Sequence, residues 1–247
     1  MLRTTTRRDR YEARMEPVRS RFAANRTVTK LQDPDTDLVV LELFLIYFTA
    51  IGVAMTEPVE EWIRTAGKRC DQIGLLELGD ALRRHSDQEA GHHLMLIEDA
   101  RTLIDWWNGR QPVALDAAPI LGRQMTEGVR RYRALHEDSI AGNAPYSQLA
   151  IEYEIESLSV RLGPQFIDRY TTVLGPTVAS GLRFLRHHVS LDLNHTRFNQ
   201  GQLARLLQQH PEFLDVLVTA GEEALRAYAT FLDDCWLLAE AKMEQVI

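Results

Sequence analysis

LVVLELFLIYFTAIGVAM, residues 38–55, is a long apolar run with two physical readings, and the choice between them decides the fold. As a membrane span it is marginal in length, it carries Glu42 inside it, and no small-residue cleavage site follows. As a helix buried on every side it belongs at the centre of an all-α, single-domain bundle, and this is the reading adopted. The first thirty residues hold nine Arg/Lys, from Arg3 to Lys30, against three acids. They are expected to form a basic N-terminal arm, residues 1–34, ahead of a helical domain at 35–247.

The rest of the chain supports helices. Apolar residues recur with helical spacing, and no segment alternates apolar and polar residues between hairpin turns. Asp35 or Asp37 caps the first long helix, and Pro58 starts or kinks the next piece. GLLELGDALRRH (74–85) leads into a helix from about 86 to 107, stopped by Asn108-Gly109. Further helices are expected at 116–136, at 148–162 closed by Gly163-Pro164, at 176–209, and after Pro211, which makes about seven. The chain is 45% hydrophobic and 26% charged, enough apolar material for one sizeable core. Its net charge of −7 argues against nucleic acid as a partner. Cys70 and Cys235 lie far apart and form no zinc spacing, so a metal here is held by nitrogen and oxygen, and a cytoplasmic setting without membrane attachment is expected.

HHVSLDLNH (187–195) raises the question of chemistry. His188, Asp192 and His195 fall at i, i+4 and i+7, on one narrow stripe of a helix. The axial rise from His188 to His195 is about 10.5 Å, too long for one ion to bind both rings comfortably. Two metals roughly 3.5–4 Å apart, with Asp192 between the rings, fit better. A second set comes from DQEAGHHLML, where Glu89 and His92 are three apart, with His93 as the alternative should the register slip by one. In LAIEYEIESLSVRLG, Glu156 is either a further carboxylate ligand or a solvated acid near Arg161, and Glu152 shares its flank.

An ExxH pair, then Tyr153, Glu156 and Ser159 in the order Y-x-x-E-x-x-S, then HxxxDxxH, resembles the haem-oxygenase-like diiron oxidases and oxygenases over about residues 38–200. The resemblance implies a seven-helix haem-oxygenase-like bundle, two iron ions, and O2-dependent oxidation of a small substrate such as an amino acid, amine or fatty acid. It places Glu89, His92 and His188 on one iron, and Glu156, Asp192 and His195 on the other. It also calls for a glutamate near position 55, where this chain has Met55; Glu57 is the nearest acid. Of the possible substrates a free aliphatic amino acid is favoured, its carboxylate clamped by Arg161, Arg183 or Arg197. An external electron donor and a homodimer are compatible with this reading. A helical binding or scaffold protein of the same fold, without a competent metal centre, is the alternative.

Overall fold

The computed structural model describes residues 7–246. Among them are eleven α-helices and no strand: α1 (Arg7–Ala23), α2 (Arg26–Gln32), α3 (Leu38–Thr56), α4 (Val59–Gln72), α5 (Leu76–Gln88), α6 (His92–Asn108), α7 (Ala117–Leu121), α8 (Glu127–Ala141), α9 (Gln148–Val173), α10 (Arg183–Gln209) and α11 (Leu214–Val246). Three 3-10 turns, each opened by a proline (Pro145, Pro176, Pro211), precede α9, α10 and α11. The expectation of about seven helices changes because several long ones are divided. Residues 116–136 break at Gly122 into α7 and α8, and the stretch at 86–107 breaks at Gly91. In the opposite sense, Gly163-Pro164 does not end α9, which continues to Val173. A Cβ at Gly163 would lie 2.4 Å from Val189 Cγ2, so the missing side chain lets α10 lie close against α9.

The apolar run is α3, the central helix. Asp37 caps it, its Oδ1 accepting from the Val39 and Val40 amides. Leu41, Leu43, Leu45 and Ile46 are all at most 1% exposed, each contributing roughly 1.5–3 kcal/mol as an upper estimate. This helix is the one segment, among the described residues, long and apolar enough to cross a membrane, and it is mostly buried inside the protein. Glu42 is tolerated there because Arg110 reaches it; burial raises its pKa, against the pull of the Arg110 guanidinium. α3 packs on α6 and α11, α9 pairs with α10 along its length, and α8 closes on α11. A Cβ at Gly128 would sit 2.2 Å from the Phe231 backbone nitrogen, so only glycine permits that approach of α8 to α11.

From Arg7 onward the basic stretch is not an arm. Tyr11, Met15, Val18 and Phe22 recur at helical spacing and are buried as the inner stripe of α1. The basic residues find acids on the body: Lys30 Nζ lies 2.7 Å from Glu240, and Arg21 3.1 Å from Glu222. The deepest pair is Arg19 with Glu154, which is fully buried in α9. Arg19 Nε and Nη2 donate to its two oxygens at 2.9 and 2.6 Å, and the Tyr11 hydroxyl donates at 3.1 Å. Counting charges exposed the basic character of this segment; its apolar stripe decides the structure. Replacing Arg19 with Ala leaves the buried Glu154 carboxylate without its closest counter-ion, with Arg161 only at 3.9 Å, and is expected to cost about 3 kcal/mol, read from urea denaturation midpoints.

Candidate metal centre

Glu89 is where the chemistry gathers, and a glycine puts it there. α5 ends at Gln88, Glu89 is its C-cap, and Gly91 takes a left-handed φ of +76° before α6 begins at His92. Glu89 and His92 therefore sit on two helices joined by a sharp link, rather than on the single helix expected from their spacing. The link still brings them together: His92 Nδ1 is 2.8 Å from Glu89 Oε2.

The two oxygens of Glu89 face two sets of imidazoles. On the Oε2 side are His92 and His188, whose Nε2 is 3.9 Å away. On the Oε1 side are His85 Nε2 at 3.6 Å and His195 Nδ1 at 3.4 Å. Glu156 Oε1 joins this second set, 2.7 Å from His85 Nε2 and 3.4 Å from His195 Nδ1. Asp192 Oδ1 is 3.6 Å from His195 Nδ1. Within each of two groups, His85/Glu89/Glu156/His195 and Glu89/His92/His188, the ligand atoms lie within 4.8 Å of one another.

These donors fit cations better than they fit each other. His85 Nε2, both His195 nitrogens, Glu156 Oε1 and Asp192 Oδ1 are buried without an aligned hydrogen-bond partner, the 2.7 Å contact of His85 with Glu156 included. Buried polar atoms without partners are costly, so a convergent set of them is the mark of a ligand site. Surrounding groups orient the set. His188 Nδ1–H donates to the Phe184 carbonyl at 2.9 Å, which leaves Nε2 with a lone pair toward Glu89. Asn199 Nδ2 donates to Glu156 Oε2 at 2.7 Å, and the Ser159 hydroxyl donates to Asp192.

The electrostatics are those of a dense buried cluster. Burial raises the pKa of Glu89, but the surrounding imidazoles of His188, His85 and His92 outweigh it and hold the carboxyl far below its ordinary value. Burial opposes charge on His85, and the Glu156 carboxylate overcomes this, so its pKa stands well above the usual imidazole value. Burial and the neighbouring Glu156 push Asp192 up to about 7. Glu152, one turn before Glu156, is pushed up to about 8, chiefly by burial; its Oε1 accepts from Gln148 Nε2 at 2.6 Å.

Beside this cluster lies a cavity of about 150 Å³. Its walls are apolar, with Phe48, Leu158, Phe166, Phe184 and Phe231 prominent, while Glu89, Glu152, Glu156, His188 and Asp192 give it its acidic and imidazole groups. No lysine or arginine lines it among the described residues.

Searches of solved structures return close matches in shape. One is a domain of unknown function with a heme oxygenase-like fold from Shewanella denitrificans, at a TM-score of 0.73 and 17% identity, covering 95% of this chain and 92% of that one. The fold is haem-oxygenase-like. A TenA homolog from Pseudomonas syringae pv. tomato matches at 0.64 and 12% identity, over 92% of this chain and 90% of its own. No family profile and no curated protein matches the chain.

Within the haem-oxygenase-like bundle, the expected ligands Glu89, His92, Glu156, His188 and His195 fall in the two groups, while Asp192 lies beside them, its Oδ1 3.6 Å from His195 Nδ1, and joins neither. His93 is only partly buried and joins neither group. Glu57 is exposed at the end of α3 and also joins neither, whereas Met55 is buried and lines the cavity. His85 is the residue the sequence reading missed. Its signal was the i, i+4 spacing to Glu89, hidden by assigning 74–85 and 86–107 to different elements. The three arginines do not reach the cavity. Arg183 pairs with Glu98 and Asp99, Arg161 leans toward Glu154, and Arg197 is exposed. Cys70 and Cys235 are buried thiols with pKa raised by burial, Cys70 to about 12, and so are poor nucleophiles.

Glu152 sets a pH dependence in the metal-free protein. Folded, it keeps its proton up to about pH 8; unfolded, it releases it near its ordinary 4.5. Between those values the folded state binds more protons, so stability falls as pH rises. Glu89 works in the opposite sense, its contribution present above the ordinary carboxylate range and lost only as pH falls below it. Urea midpoints measured from pH 5 to 8 are expected to fall in the wild type and to fall less steeply in Glu152→Gln.

Proposed function

We propose that this protein is a non-haem oxidase or oxygenase that uses two iron ions and O2 to oxidise a small substrate held in the apolar cavity. The observation that carries the reading is the Glu89 carboxylate, whose two oxygens each face a separate pair of imidazoles, all buried but the partly exposed His188. A carboxylate so placed suits a bridge between two cations, and imidazole with carboxylate and no thiolate suits iron. Glu89, His92 and His188 would hold one ion; His85, Glu156 and His195 would hold the other, with Asp192 beside them. Such a pair supplies, when bound, the reduction of O2 coupled to oxidation of a substrate C–H bond.

The chain's own residues do the rest. Phe184, Asn199 and Ser159 fix the rings and carboxylates, so the donors are aimed before any ion arrives. The aromatic and aliphatic wall excludes water and positions a hydrocarbon surface beside His188 and Asp192. Glu152, with Oε1 occupied by Gln148, holds a proton on its other oxygen at neutral pH, at the edge of that cavity. With no arginine or lysine in the wall, a free amino acid has no clamp for its carboxylate, and a substrate that is mainly hydrocarbon fits the cavity better. A cavity near 150 Å³ accepts a compact apolar body of about benzene size.

Anaerobic loading with Fe(II), followed by metal analysis and then O2 with a panel of amino acids, amines and fatty acids, tests the reading. The wild type is expected to hold about two irons per chain, His85→Ala about one, and the His188→Ala, Asp192→Ala double variant less than one. Equal iron in wild type and double variant would instead mark a helical binding or scaffold protein.

A further inference from the structure

One histidine of the HHVSLDLNH stretch has no part in either ligand group. His187 precedes His188 on α10, about 100° round the helix, and is exposed. It nevertheless does not point away from the site. Its ring lies edge-on to His92, centroid to centroid 5.1 Å, and 5.7 Å from His188; His92 and His188 are themselves 4.8 Å apart. Three imidazoles thus stand together where the Glu89/His92/His188 group meets the surface, and His187 is the solvent-facing member. His92 belongs both to this surface trio and to the buried group.

A buried site presents a hydrated cation with a difficulty at its threshold. The ion must shed water before the inner donors can replace it, and Glu89 is only 8% exposed. A solvent-facing imidazole beside a ligand that belongs to the site lets water be exchanged stepwise, one donor at a time.

We infer that His187 is a loading ligand: with His92 it forms a transient surface site for a divalent transition-metal ion, from which the ion passes inward to Glu89, His92 and His188. This rests on the two-metal reading of the centre. It separates rate from capacity, because His187 governs how fast the inner group fills and not how many ions it holds.

The test uses full-length metal-free protein mixed rapidly with Co(II), whose absorption reports its donor set, together with metal counts at the end point. Wild type, His187→Ala, and His93→Ala as a control for a nearby histidine outside both groups are compared. In His187→Ala the rate of uptake is expected to fall about tenfold with an unchanged final count, while His93→Ala matches the wild type. A wild-type rate in His187→Ala overturns the loading role, and a lowered final count overturns it in favour of a permanent ligand. Absence of cobalt uptake by the wild type overturns the two-metal reading itself, and so is distinct from either result.

Discussion

The interior of this bundle has to accommodate three carboxylates and four imidazoles around one point. Charges in a protein interior are tolerated only when paired, hydrogen-bonded or bound to metal. Here carboxylates face rings across distances of 2.7 to 3.9 Å, and several donor atoms are left without partners. The fold answers with rigid supports. α5, α6, α9 and α10 each bring part of the cluster, and a carbonyl, an amide and a hydroxyl from α9 and α10 fix individual donors. The apolar bulk of α3 and α11 surrounds the adjoining cavity, which keeps the effective dielectric low and makes each pairing stronger.

The parts of this arrangement legible in the sequence were those carried by unbroken helical spacing. His188, Asp192 and His195 lie on the uninterrupted α10, so an i, i+4, i+7 pattern translated directly into a common face. Glu156 and Ser159 lie on α9 in the same way. His85 was hidden because its partnership with Glu89 spans what looked like a boundary between elements, although both lie at the end of α5. The arginine clamp failed for a different reason. Proximity in sequence to ligands says nothing about which side of a helix a long side chain leaves from: Arg161 leans toward Glu154 on its own helix, and Arg183 finds Glu98 and Asp99 on α6 instead.

The beginning of the chain shows how composition misleads when taken without periodicity. Nine basic residues suggested solvent, yet Tyr11, Met15, Val18 and Phe22 mark an inner face that docks α1 against the body. Arg14, Arg19, Arg21 and Lys30 are then paired with acids of α9 and α11, so these residues contribute contacts to the bundle. Phe22 also lines the cavity, which makes the first helix part of the chamber's wall.

Gly91 has a mechanical consequence. Because it turns the chain between α5 and α6, the donors divide into two bodies: His85 and Glu89 travel with α5, while His92 travels with α6. A tilt of α5 about that joint carries an imidazole and the shared carboxylate together, changing their separation from α10 without unwinding either helix. The placement of Glu89 against His92 therefore depends on the turn at Gly91, where one continuous helix would have fixed both in a single register.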